Sequence, residues 1–182
     1  MKFLDKEILT KDGRKVILRN AELSDAADLI EYLKITAGET PYLINEPEEV
    51  TLTVEDEEKF LKSKIDSDRE LMLIATIDGK HIGNCSLNSM GNKQRYRHRC
   101  SVAIALYQEY CNLGIGRQML KEILDQARIC GYEQAELEVV VSNERAIKLY
   151  KSLGFEIYGI LKNNMKYKDG TYVDAYIMGC IL

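Results

Sequence analysis

The stretch YCNLGIGRQML, residues 110–120, places Gly114 and Gly116 one residue apart where an apolar helical periodicity begins. Each glycine weakens a helix by about 1 kcal/mol relative to alanine, so a pair in the first turn needs a reason. A helix N-terminus presents N–H groups without intrahelical partners, together with the positive end of the helix dipole. Without Cβ atoms at 114 and 116, those N–H groups can close on a phosphate or pyrophosphate. A tight turn with no ligand would use the same glycines. No Gly-Lys-Ser/Thr follows, and Met119 stands where a dinucleotide fingerprint requires glycine, so neither common nucleotide loop is present.

A second chemical grouping lies downstream in NERAIKLYKSLGF, residues 143–155. Asn143 and Tyr150 are seven residues apart, which puts them on one helix face roughly 10 Å apart along the axis. That is a useful length for following an extended ligand arm. Asn143 is equally a natural N-cap, and Ile147 and Leu153 make the Tyr150 face partly apolar, as a core tyrosine would have it.

The remaining reactive residues exclude more than they suggest. His81 and His98 are the only histidines, and Cys85, Cys100, Cys111, Cys130 and Cys180 are scattered without a CxxC pair. That argues against a histidine-rich metal centre, a zinc knuckle or a disulfide framework. His98 has a side chain suited to accepting a proton, but it sits in RYRHR, residues 95–99, which reads equally as a solvated strand end. Ser101 is near it and no carboxylate is, so no general base is assigned. The acidic group Glu46, Glu48, Glu49, Glu55, Asp56, Glu57 and Glu58 could attract a cationic amine. Such charges also belong on a solvated loop and at a helix N-terminus.

These residues must be positioned by the elements around them. At 182 residues and 46% hydrophobic, the chain predicts one domain spanning 1–182. A net charge of −4 speaks against nucleic acid or anionic membrane as partner, and the basic run at 95–99 lacks an aromatic stacking set for RNA. No apolar run fits a signal peptide or a membrane span, which points to the cytoplasm. A strand is expected at 15–19, then a helix capped by Ser24 and running to about 37. A loop at 38–51 holds both prolines, and Thr53 caps a second helix with Phe60, Leu61 and Ile65 apolar. Strands at 70–78 and 80–88 join at Asp78-Gly79, a hairpin turn pair. A strand follows at 95–106, and its half VAIAL, residues 102–106, is apolar without alternation, predicting cover on both faces. The glycine-rich loop then opens a helix ended by Gly131, with Ile115, Met119, Leu120, Ile123, Leu124 and Ala127 on one side. A strand at 135–141, a helix at 143–153 stopped by Gly154, and strands at 155–168 and 171–180 complete a mixed α/β order.

The paired motifs resemble those of the GNAT family of N-acetyltransferases. Its pyrophosphate loop reads Gln/Arg-x-x-Gly-x-Gly/Ala after the fourth strand, and CNLGIG, residues 111–116, fits except at Cys111. NERAIKLYKSLGF is similar to the family's next helix, and RNAELSDAADL, residues 19–29, to its entry into the first helix. The resemblance implies a mixed, mostly antiparallel central sheet with splayed fourth and fifth strands and helices on both faces. It implies acetyl-CoA as cosubstrate and no metal. The N–H groups of Asn112, Leu113, Gly114, Ile115, Gly116 and Arg117 would hold the pyrophosphate. The edge of Ile104, Ala105 and Leu106 would pair with the pantetheine arm, with Asn143 beside the cofactor. Tyr150 would protonate the departing CoA thiolate, in a direct transfer whose oxyanion is held by a strand N–H. Cys111 would lie by the phosphates, far from the thioester. The acceptor implied is a primary amine of a small molecule or protein, as in the small-molecule and ribosomal-protein branches. The loop at 38–51 and the hairpin near 163–172 would shape its pocket, and a homodimer is compatible with the likeness. The alternative from another class is a non-catalytic acyl-CoA-binding module.

Overall fold

A computed structural model describes residues 1–182. In chain order it contains β1 (Lys6–Leu9), β2 (Lys15–Asn20), α1 (Ala26–Glu39), α2 (Val54–Ile65), β3 (Leu71–Ile77) and β4 (Lys80–Ser89). There follow β5 (Arg99–Leu106), α3 (Ile115–Ile129), β6 (Gln134–Val140), α4 (Glu144–Lys151), β7 (Glu156–Lys166) and β8 (Tyr172–Ile181). The strands form a single sheet in the order β1-β2-β3-β4-β5-β6-β8-β7. Every neighbouring pair is antiparallel except β5 and β6. This is the mixed α/β arrangement expected, with the splayed strands numbered fifth and sixth because β1 precedes them. No helix is long and apolar enough to cross a membrane.

Helices cover both faces. The apolar stripe of α3 (Ile115, Met119, Leu120, Ile123, Ala127) is fully buried and joins Leu18, Leu73, Ile82 and Leu87 from the strands in the main core. Tyr150 of α4 belongs to the same core. On the opposite face α1 and α2 form a smaller cluster, in which Leu29, Tyr32 and Leu61 pack on Ile74 of β3. Fully burying one leucine contributes about 1.5–3 kcal/mol, so Leu61 alone anchors much of α2. Phe60 and Ile65, expected beside it, are each about two-fifths exposed.

Other departures from expectation have local causes. β1 escapes sequence reading because only Ile8 of its four residues is buried, leaving no alternation to see. Ser24 does not cap the first helix. It lies in a short 3-10 turn, Leu23–Asp25, where Asp25 accepts the Glu22 N–H and a bidentate Arg19 guanidinium, each at 2.7 Å. The loop at 38–51 gives up its first two residues to α1 and holds a 3-10 turn at Pro47–Glu49. Thr53 caps α2 as expected, accepting the Asp56 N–H. Residues 95–98 are not strand: turn bonds from Tyr96 N and Arg97 N to the Lys93 carbonyl (2.8 and 2.9 Å) hold them until pairing begins at Arg99. VAIAL is not covered on both faces either. Val102 is buried, but Ala103 is exposed and Ile104, Ala105 and Leu106 are half-buried.

That last departure follows from the sheet. β5 and β6 pair in register only at Arg99↔Gln134, Cys100↔Ala135 and Ser101↔Glu136, after which they diverge. At the closed end Arg99 grips buried Glu136 in a two-pronged ion pair, Nη2 to Oε2 at 2.6 Å and Nε to Oε1, and Gln134 Nε2 adds a bond at 2.9 Å. Charge-assisted bonds of this kind outweigh neutral ones when shielded from water. Glu136→Gln should therefore lower stability by about 1–3 kcal/mol. The check is a urea melt, where the midpoint falls with the slope unchanged; an unshifted midpoint would show that the pair does not hold the junction.

Candidate active site

Beyond Ser101 the facing backbone edges of β5 and β6 have no strand partner, and the gap between them opens into a cleft of about 530 Å³. Residues 102–106 of β5 line one wall and Glu138, Val139 and Val140 of β6 the other. Unpaired strand edges in a sheet interior demand a partner, and an extended amide-bearing chain can supply one by adding itself as a strand.

The loop between β5 and α3 closes one end of the cleft. Asn112 and Gly114 both have positive φ (65° and 87°), and Gly114 is the N-cap of α3. A side chain at Gly114 would be strained by its backbone. The first helical bond is Gln118 N to Gly114 O at 3.3 Å, so the N–H groups of residues 112–117 are all left without a protein acceptor. Alternating left- and right-handed backbone with convergent N–H groups is an anion nest, here at the positive end of a 15-residue helix. A Cβ at Gly116 would come within 3.5–3.6 Å of Ile104, Leu106 and Leu149, filling space between the strand and α4. Asn112, Gly114, Gly116 and Arg117 line the cleft. Leu113 and Ile115 can offer it only backbone: Ile115 is buried in the core, and the Leu113 carbonyl accepts the Lys11 N–H at 2.9 Å.

Cations surround this nest. Lys11, from the β1–β2 turn, lays its side chain beside Gly114, and Arg145 of α4 lines the cleft. Arg117 reaches instead to Ser152, donating to its hydroxyl and, at 3.3 Å, its carbonyl, so it ties α3 to the end of α4. The Cys111 thiol lines the cleft, and burial pushes its pKa up, keeping it protonated and a poor nucleophile.

The reacting groups sit along the strands. Tyr150 is 7% exposed, rests against Phe155, and turns its unpartnered hydroxyl to the cleft. Burial raises its pKa, so the phenol stays neutral and able to donate. Asn143 serves both readings: its Oδ1 caps α4 by accepting the Ala146 N–H at 3.2 Å, while its side chain lines the cleft. Glu138 was missed by sequence. It is the exposed residue of an otherwise largely buried strand and the only lining carboxylate besides Glu39, which is occupied by the Gln108 N–H at 2.8 Å. Its one signal was a charge inside the apolar strand AELEVVV. His98 and Ser101 stay outside the cleft, at the closed end.

The acidic loop acts structurally. Glu46 and Glu48 both engage Lys168 of the β7–β8 turn, and Tyr167 Oη donates to the Pro41 carbonyl at 2.9 Å. Tyr42 Oη donates to the Ser142 carbonyl at 3.3 Å, so the loop at 38–51 crosses from α1 to the β6–α4 junction with Tyr42 and Leu43 in the cleft wall.

Comparison with known proteins points the same way. The profile of the Acetyltransferase (GNAT) family matches residues 39–155. The chain is 30% identical over 174 residues to an N-alpha-acetyltransferase of Sulfurisphaera tokodaii, covering 94% of this chain and 96% of that protein. It is 34% identical over 109 residues to the L-amino acid N-acetyltransferase AaaT of Escherichia coli, covering 58% of this chain and 65% of that protein. A crystal structure of a GNAT-family acetyltransferase from Streptococcus pneumoniae superposes with a TM-score of 0.87 at 30% identity, covering 92% of this chain and 99% of that one.

Because Gly114 needs its positive φ, Gly116 is the cleaner probe of the nest. Gly116→Val should leave the fold intact and weaken acetyl-CoA binding roughly tenfold or more, the branched side chain standing where the phosphates approach the helix end. Calorimetry on the folded variant checks this; unchanged affinity would remove the nest from the binding site.

Proposed function

The chain belongs to the GNAT family of acetyltransferases and is an acetyl-CoA-dependent N-acetyltransferase, and we propose that it transfers the acetyl group directly to a primary amine in the β5–β6 cleft. The observation that carries this reading is one continuous cleft with an anion nest at one end and a free carboxylate and neutral phenol within it. The N–H groups of residues 112–117 hold the pyrophosphate, with Lys11 and Arg145 adding charge. The free edge of Ile104, Ala105 and Leu106 aligns the pantetheine arm, and Asn143 borders it. Acetyl-CoA supplies the activated acyl group, and no metal is called for.

Glu138 takes the proton from the acceptor ammonium, so that a neutral amine attacks. Strand N–H groups left free by the splay stabilise the oxyanion, and Tyr150 donates its proton to the leaving sulfur. A free carboxylate on β6 in the cleft supports catalysis over a non-catalytic acyl-CoA-binding module. The names of the Sulfurisphaera and Escherichia relatives favour an α-amino group, of a peptide N-terminus or a free amino acid, as acceptor. Tyr42 and Leu43 border the space it would enter. Residues 1–182 act as one catalytic unit, as their continuous sheet suggests, and five unpaired cysteines suit a reducing cytoplasm.

Thiol release with a panel of α-amines tests the roles. Tyr150→Phe keeps the ring in the core and should lower kcat roughly 10²-fold, near the lower end for general acid catalysis, with acetyl-CoA affinity within a few-fold. Glu138→Gln should lower kcat/KM by a similar order near neutral pH, and the deficit should shrink as pH approaches the amine's pKa, where solvent has already removed the proton. Wild-type kcat in a folded Tyr150→Phe enzyme would return Tyr150 to the core. A Glu138→Gln deficit that does not change with pH would exclude Glu138 as the base.

A further inference from the structure

The sheet face turned away from α3 is covered unevenly. Alternation along the strands puts Ser101 and Ala103 of β5, Glu136 and Glu138 of β6, and Ile177 and Gly179 of β8 on it, since Cys100, Val102, Leu137 and Met178 between them enter the main core. The cluster formed by α1 and α2 takes in only Ala105 from these three strands. Ala103 and Glu138 are exposed, and Ser101 and Ile177 half-buried. A trough therefore runs along β5 and β6, continuous with the acetyl-transfer cleft through Ala103 and Glu138.

Its borders differ in chemistry. On one side stands α2, whose Lys64 Nζ donates to Asn88 of β4 at 2.8 Å. On the other the Tyr158 ring lies over Gly179, where a Cβ would collide with it. The strap joining the loop at 38–51 to the β7–β8 turn, through Tyr167 and Lys168, crosses the cleft end. The opposite end is open and basic. Arg99 stacks on the Tyr96 ring at 4.4 Å, which brings the β4–β5 loop onto this face. Lys93, Arg95 and Arg97 of that loop are exposed and enter no ion pair. Arg69 adds a guanidinium beside them, donating to the Arg97 carbonyl at 2.7 Å, and Glu133 brings one carboxylate, its N–H donating to the His98 carbonyl at 2.8 Å. In a chain of net charge −4 this end of the trough is locally positive.

We propose that the trough holds the residues of a polypeptide acceptor that follow its α-amino group, and that Lys93, Arg95 and Arg97 select acidic side chains at about the fourth to sixth residue of that polypeptide. This rests on the reading of the cleft as a site for an α-amine. With the amine at Glu138, the strap stands across one way out, and the chain runs back along β6 toward Gln134, which pairs with Arg99. That path is about 13 Å, matched by about four residues of extended peptide. The side chains that come next meet the basic loop. The small side chains of Ser101 and Ala103 leave the floor low enough for a backbone to pass over. Each exposed ion pair contributes little alone, but three cations facing one short segment bias the choice of partner. A free amino acid ends before it reaches the loop.

Peptides that share their first three residues and carry either Asp/Glu or Ser/Gln from the fourth to the seventh are compared by thiol release. The acidic peptide should show a kcat/KM roughly five- to tenfold higher, gained through KM, and the advantage should vanish at about 1 M salt, where the Debye length is about 3 Å. Lys93→Gln combined with Arg95→Gln and Arg97→Gln should bring the acidic peptide down to the neutral one. The neutral peptide and free amino acids should keep their own kcat/KM to within about twofold in that variant. Equal kcat/KM for the two peptides, or an advantage that survives in the triple variant, would overturn the proposal and leave the α-amine reading standing. Turnover of free amino acids alone would do the same, whereas no turnover of any α-amine would overturn both. Single-stranded RNA that competes with the acidic peptide more strongly than polyglutamate does, and loses this in the triple variant, would assign the loop to nucleic acid instead.

Discussion

β5 and β6 share hydrogen bonds over three residue pairs and then part, and the rest of the molecule is organised around that divergence. A parallel pair inside an eight-stranded sheet would ordinarily run its full length. Here the Arg99–Glu136 ion pair clamps the closed end, while α3 and α4 leave the strands at the open end and keep them apart. Gly116 lies where the β5 side chains Ile104 and Leu106 meet Leu149 of α4. A bulkier residue at 116 would crowd the mouth. The divergence leaves backbone groups in the middle of the sheet with no strand partner, open to water or to a ligand.

The same geometry accounts for how the chemical groups are distributed. A helix that begins just after β5 ends must aim its N–H groups at the open mouth, so the nest at 112–117 is a consequence of the strand order. Glu138 is the exposed residue of β6 and lines the cleft. Tyr150 is held by core packing against Phe155, with only its polar end in the cleft. A rigid core thus sets where the Tyr150 phenol sits, and an open gap borders the Glu138 carboxylate. Above them the strap from α1 to the β7–β8 turn, through Tyr167 and Lys168, fixes the loop that carries Tyr42 and Leu43.

What could be read from sequence was local. The hairpin at Asp78-Gly79, the Thr53 cap, the α3 stripe and the seven-residue step from Asn143 to Tyr150 each depend on neighbours along the chain, and each stands as expected. What depends on how strands separate was not readable. VAIAL has the composition of a strand buried on both faces, yet only Val102 is buried, because the strand borders the cleft from 102 onward. Glu138 is a single charge in an apolar run, and nothing along the chain distinguishes it from Glu136, two residues earlier, which is buried against Arg99. Lys11 reaches the nest only because the β1–β2 turn packs beside Gly114, a contact between residues more than a hundred positions apart.

The most direct measurement is amide hydrogen exchange with and without saturating acetyl-CoA. The account predicts that the free edges of residues 102–106 and 137–140, and the nest at 112–117, slow together on binding, while amides in the β1–β4 part of the sheet do not change. Saturating acetyl-CoA with these segments exchanging at their free rates, and protection appearing elsewhere, would contradict the claim that the divergence of β5 and β6 is the cofactor site.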